Sequence, residues 1–264
     1  MGKNLQLLTS KYRKGSLFLV LIITLVSLTG CGMNAGPITV DSPGVFNHYL
    51  VYPFSWLLLK TAVVFGNSFG FSIIAVTILI RFMLLPLMIK QSKNMKAMRL
   101  IQPKLNELKE KYSGKDEKNQ RKLQEETMML FKAEGVNPIG SGCLPLLIQM
   151  PIMLAFYYAI MRTEELARHS FLWFDLGAPD PLYILPMLAA ITTFIQLKVT
   201  AAQNPVNTQM AIVNNIMPAM ILVFAISLPS ALSLYWVIGG IFGIAQAYFL
   251  NIDRSQIKQE TANS

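Results

Sequence analysis

The sequence predicts an all-α integral membrane protein: five transmembrane helices, an outer helix lying flat in the interface, and a cytoplasmic helical hairpin. Three observations predict it. Of 264 residues, 53% are hydrophobic and only 14% charged, whereas soluble domains carry about 25% charged residues. Five apolar segments approach the roughly 20 residues that a bilayer crossing needs. The net charge of +9 reads as Lys and Arg held on the cytoplasmic side of a membrane, so no DNA partner is expected. The same composition excludes disordered, collagenous and soluble repeat classes. Cys31, Cys143, His48 and His169 are the only residues of their types, too few for an ordinary metal site. No nucleophile triad or phosphate-cradling glycine loop stands out, so neither an enzyme nor a cofactor is expected.

Residues 1–30 read as a signal peptide, with Lys3, Lys11, Arg13 and Lys14 ahead of the apolar stretch Ser16–Ser27. Leu28-Thr29-Gly30-Cys31 resembles the bacterial lipoprotein box. That implies cleavage after Gly30, a diacylglycerol on the Cys31 sulfur and an N-terminus on the outer face; a lipidated cysteine with two acyl chains is a stable anchor. The competing reading is an uncleaved first membrane helix. Residues 31–66 then form the extracytoplasmic segment. Within it, Phe46, Leu50, Phe54, Leu57 and Leu58 recur at helical spacing, while Asn47, His48, Pro53 and Lys60 interrupt the apolar run. This predicts an interfacial helix over 46–65, with Tyr49, Tyr52 and Trp56 at headgroup level.

The spans are placed at 69–90 (within a unit 67–92), then 138–161, 182–201, 212–228 and 231–250 (within a unit 136–250). The basic run from Lys90 to Lys132 is cytoplasmic by the positive-inside rule, and a single crossing separates it from Cys31. Residues 162–181 are then outside, where Glu164, Glu165, Asp175 and Asp180 outnumber Arg162 and Arg168. The tail, 251–264, is inside. The sequence thus describes a multi-pass protein of the bacterial plasma membrane. Leu228-Pro229-Ser230 ties the short fourth span tightly to the fifth.

The hairpin occupies 93–135. Met98, Ile101, Leu105, Leu108 and Tyr112 are spaced alternately three and four apart, a seam for one partner helix. Ser113-Gly114-Lys115-Asp116 breaks it. A second helix runs from about Glu117 to Ala133, with Leu123 and Leu130 a heptad apart and Gly135 as C-cap. Its positive charge and Met95, Met98, Met128 and Met129 suit docking to anionic lipid, ribosomal RNA or a hydrophobic client. A solvated hairpin whose charges only set topology fits the sequence equally.

Arg81 carries the functional argument. It lies near the middle of the first span, where an arginine costs about 2.5–3.5 kcal/mol even on lenient insertion scales. The five spans contain no Asp, Glu or His to neutralise it. Either it snorkels to the inner headgroups, or it faces a water-containing hollow between helices. Thr77 is one turn away on the same face, and Gln149, Thr192, Thr193, Gln196 and Gln246 place polar groups at membrane depth on other helices. Singly, each fits an interhelical hydrogen bond; with an unpaired arginine, they favour the hollow. Met217, Met220, Ile221 and Phe224 on the fourth span, and Leu232, Leu234, Trp236 and Val237 on the fifth, offer either an adaptable client surface or ordinary packing. Ser233, Gly239, Gly240 and Gly243 permit close helix approach.

The assembled motifs resemble the YidC membrane-protein insertase family in its Gram-positive lipoprotein form. They are Thr77-Ile-Leu-Ile-Arg81-Phe-Met-Leu-Leu-Pro86, Gly135-Val-Asn-Pro138, Cys143-Leu-Pro-Leu-Leu-Ile-Gln-Met-Pro151, His169-Ser-Phe-Leu-Trp-Phe-Asp-Leu176 and Leu232-Ser-Leu-Tyr-Trp236. The large extracytoplasmic domain of Gram-negative members has no counterpart. Only Arg254 and Lys258 follow the last span, where some ribosome-binding relatives have a long basic tail. The resemblance implies five helices enclosing a hydrophilic groove open to cytoplasm and lipid, with Arg81 as its cation and Gln196 and Trp236 among its lining. Chemistry adds Gln149, Gln246 and Thr77. The implied clients are nascent membrane proteins, with the ribosome and a Sec translocon as optional partners beside membrane lipid. A small-solute channel or transporter and a membrane assembly scaffold are the rival readings.

Overall fold

The computed structural model describes residues 36–114, 116–136, 144–203 and 208–262. The signal peptide, Cys31 with its expected lipidation, and Cys143 lie outside them. A π-helical turn, Asn47–Val51, leads into α1 (Tyr52–Val64). Pro53 sits in the first turn of α1, where a missing N–H breaks no helical bond. Val51, Ser55, Leu58 and Ala62 are buried at near-helical spacing, while Tyr49 and Trp56 face outward. One face of the predicted interfacial helix therefore packs, against α2 (Phe69–Leu100) and α5 (Leu144–Met161). The Ser72 hydroxyl donates to the Leu58 carbonyl at 2.6 Å, and Ser55 and Thr163 share a hydrogen bond of 2.7 Å.

α2 is a single helix of 32 residues with Pro86 inside it. The first span therefore runs without interruption across the expected boundary at 92 and into the first arm of the hairpin. It ends at Leu100, and Ile101 leads into α3 (Gln102–Lys111), whose first turn contains Pro103. Proline has no N–H to continue the ladder, so the chain turns there. α4 (Glu117–Ala133) closes on Gly135 at φ 63°, and the Val136 N–H donates to the Phe131 carbonyl at 2.9 Å. This is a Schellman ending, with glycine at the left-handed position. Ile101, Leu105 and Val136 are buried together, packed by Ala97, Met98, Leu130 and Phe131. The predicted seam thus closes over its first half and includes the end of α2.

At its far end, the Tyr112 hydroxyl donates to Glu126 at 2.5 Å, and Lys111 lies 3.3 Å from the same carboxylate. The Tyr112 hydrogen bond, then Lys111, holds the Glu126 carboxyl below its ordinary range. Bonds to Tyr112 and Glu126 hold Lys111 above its own range. A lowered acid stabilises the fold above its unfolded pKa, and that contribution is lost as pH falls through the folded value. A raised base stabilises below its unfolded pKa and loses the effect as pH rises through the folded value. The contact is therefore complete around neutrality. Amide-exchange protection in α4 is expected to fall in acid, and Glu126→Gln to lower it already at neutral pH; unchanged protection in that variant would refute the contact's role.

Beyond α5 come α6 (Glu164–Ala167), the two-residue strands β1 (Ser170–Phe171) and β2 (Phe174–Asp175), α7 (Ile184–Gln203), α8 (Thr208–Ser227) and α9 (Ser230–Ala262). β1 and β2 pair antiparallel, with Ser170 opposite Asp175 and Phe171 opposite Phe174. This small hairpin is an addition to the helical architecture that the sequence reading did not foresee. Its loop is fastened to α9, since the backbone N–H groups of Ser230 and Ala231 donate to Ala178 and Leu176 at 2.7 and 3.1 Å. Gly177 is essential to that closure: a Cβ there would overlap the Ala167 carbonyl oxygen and come within 2.9 Å of its Cα. Gly177→Ala must move backbone and is expected to cost about 1–3 kcal/mol, read as a lowered thermal midpoint in detergent.

α2 and α9 contain the segments Phe69–Met98 and Ser230–Phe249, each long and apolar enough to cross a bilayer; Ile148–Met161, Ile184–Thr200 and Asn215–Ser227 are shorter apolar helices. α9 packs on α7 and α2, and α7 on α8. Its backbone stays helical through the expected tail to Ala262. The stripe on the last two spans divides: Leu232, Leu234 and Val237 are core, whereas Met220 and Phe224 are exposed. Periodicity finds such a face but does not say what covers it.

Candidate functional site

Among the described residues, the large buried core lies at one end of the bundle, the end bearing residues 162–183. Among the side chains described, the buried apolar and small residues of α2 stop at Thr77, those of α7 at Ala189 and those of α9 at Gly243, and on α5 they begin at Ala155; Gln91, farther along α2, is buried as well. The core made there by Val51, Leu58, Ile73, Phe156, Leu185, Leu232 and Tyr235 seals that half. Toward the end bearing the helical hairpin, the spans present half-buried and exposed side chains. Arg81 stands one helical turn past Thr77, where the seal ends.

The face of α9 organises the polar residues at this level. Tyr235, Gly239 and Gly243 follow one another at intervals of four, about 6 Å each along the axis. The Gln149 amide donates to the Tyr235 hydroxyl at 2.5 Å, and that buried ring stacks, tilted, on Phe156 with centroids 5.1 Å apart. The Arg81 guanidinium lies against Gly239, the Gln196 amide against Gly243 and the Thr192 hydroxyl against Gly240. Arg81, Thr192 and Gln196, from two different helices, thus converge on one glycine surface, with Gln149 a turn away. Thr77 is fully buried, and its hydroxyl donates to the Ile73 carbonyl of its own helix at 2.6 Å. It belongs to the sealed layer, where its polarity is spent within α2. Trp236 and Gln246 are half-buried on α9.

Among the described residues, the ion pairs join Lys104 to Glu134, Lys111 to Glu126, Arg121 to Glu117 and Arg168 to Glu164. All lie in the hairpin or the 162–183 loop, and none neutralises Arg81. The arrangement can therefore offer one positive charge, with amide and hydroxyl groups for hydrogen bonding beside it. Tyr235 and Gly239, which place Gln149 and Arg81, were not singled out in those roles from sequence. Their signal was the Tyr235-x-x-x-Gly239-x-x-x-Gly243 spacing.

Fold and site together define an all-α integral membrane protein with a half-buried arginine where the packing of its helices gives way. The chain belongs to the 60Kd inner membrane protein family, whose model matches residues 60–258. It is 53% identical over 251 residues to "Membrane protein insertase YidC" of Alkalihalophilus pseudofirmus, covering 94% of this chain and 98% of that one. It is 54% identical over 239 residues to "Membrane protein insertase MisCA" of Bacillus subtilis, covering 90% and 91%. It is similar in structure to an active YidC insertase crystal structure with its first transmembrane domain resolved, at TM-score 0.61 and 30% identity. That match covers 87% of this chain and 50% of the solved one, so the chain spans half the length of that insertase.

Proposed function

We propose that this protein is a membrane-protein insertase and chaperone acting through a positively charged hydrophilic groove open to the cytoplasm and to lipid. The observation that carries the reading is Arg81, half-buried against α9 and, among the described residues, without a carboxylate partner, at the level where the packed core ends. The names of its relatives point the same way. In this reading the acidic tail of a nascent membrane protein enters from the cytoplasm and is drawn to Arg81, with Gln196, Gln149, Gln246 and Trp236 lining its path. Water held there lowers the tail's desolvation cost and shortens the apolar thickness it must cross. The client's helix then moves into lipid along the third and fifth spans. Burying it is favourable by about 0.8 kcal/mol per CH₂, so the groove lowers a barrier and no ATP or cofactor is needed.

The topology belongs to the same proposal: five spans in the bacterial cell membrane, a lipid-anchored Cys31 and α1 outside, the helical hairpin and C-terminus inside. Nascent membrane proteins are the clients, and the ribosome and a Sec translocon are the candidate donors. The test is insertion by purified protein in liposomes, using a single-span client with an acidic tail and no nucleotide. Protected client is the expected result. Small-solute flux without client, and no insertion, would overturn the proposal in favour of a channel.

A further inference from the structure

We infer that Gly239 is a positioning residue for Arg81: its missing side chain leaves the niche in which the guanidinium is held, and so fixes where the positive charge sits. The inference rests on the insertase reading and adds a second residue to its electrostatic step. A Cβ on Gly239 would overlap Arg81 Nη2 and lie 3.1 Å from Cζ and 3.3 Å from Nε. All three nearest atoms are the tip of one flexible side chain on another helix. Gly177 differs, because there the obstructing atoms are backbone. A small residue in a membrane helix ordinarily lets two backbones approach. At Gly240 the three nearest atoms include a backbone atom, the Thr192 carbonyl carbon at 3.4 Å; at Gly239 the three nearest are all side chain.

The consequence is specific. A methyl group on Gly239 leaves the helices where they are, because a flexible tip moves more easily than backbone, but it expels the guanidinium from its seat. Gly239→Ala should therefore fold normally and still lose activity through Arg81. The Arg81→Lys side chain lacks the Nη2 atom that overlaps, so that variant should tolerate the Gly239→Ala change.

The experiment is a double-mutant cycle in full-length protein reconstituted into liposomes, with the acidic-tailed client and thermal midpoints in parallel. Gly239→Ala is expected to lower insertion about three- to tenfold in the Arg81 background, within the usual range of coupling between contacting residues. It is expected to change little in the Arg81→Lys background and nothing further in the Arg81→Ala background. Equal loss in all three backgrounds, or a collapsed thermal midpoint, would make Gly239 a packing residue and overturn the inference. Full activity of Arg81→Ala is a different result: it would overturn the groove's electrostatic step itself.

Discussion

Replacing Arg81 with alanine is expected to slow insertion of an acidic-tailed client tenfold to a hundredfold, while lysine retains most of the activity. A carboxylate about 6 Å from a unit charge is attracted by about 1.4–3 kcal/mol at an effective dielectric of about 20–40. That range corresponds to about ten- to hundredfold in rate. The guanidinium makes no carboxylate pair among the described residues, so its planar fork is not the feature used and an ammonium supplies the same field. A client with a neutral tail should be nearly indifferent to all three side chains. Stability should not fall in the alanine variant, because no buried acid is orphaned and a costly intramembrane cation is removed. Equal rates for wild type and Arg81→Ala with acidic-tailed client would refute the step.

Asp180→Ala is expected to show the opposite signature: reduced stability whatever the client's charge. Asp180 is only 2% exposed. One carboxylate oxygen accepts from the Trp173 indole at 3.1 Å and the Leu182 N–H at 3.0 Å, and the other from the Leu185 N–H at 2.7 Å. One acid thus ties the β-hairpin to the first turn of α7. Truncation strands three donors, and since hydrogen bonds to charged groups carry about 1.5–3 kcal/mol each, a loss of about 4.5–9 kcal/mol follows. Asp180→Asn, which keeps one acceptor oxygen, should fall between. Thermal unfolding in detergent measures the loss; a midpoint unchanged in the alanine variant would show that these bonds contribute nothing net.

The two residues also show what the sequence made legible. Arg81 stood out because a cation in an apolar run without an acid contradicts its surroundings, and the apolar runs themselves located apolar helices. Asp180 did not stand out. A lone acid in a loop reads as a topology charge, and nothing local announces that Trp173 and two backbone N–H groups will converge on it. The β-hairpin was equally hidden, because strands of two residues have no periodicity to detect. The length of α2 was missed for another reason: the change from apolar to basic composition near Lys90 is a change of hydropathy, not the end of a helix. Pro103, which does end it, lies farther on. Glycine spacing on α9 predicted close approach, but what approaches depends on side chains from elsewhere in the chain.

That unbroken α2 has a mechanical consequence. From Arg81 to Leu100 the helix spans about 30 Å, and Ile101, the next residue, is clamped in the hairpin's own apolar cluster with Leu105 and Val136. Arg81 and the hairpin are thus connected through one helix and that cluster. A body that grips the hairpin and leans on it would tilt α2 and shift the charge without touching Arg81.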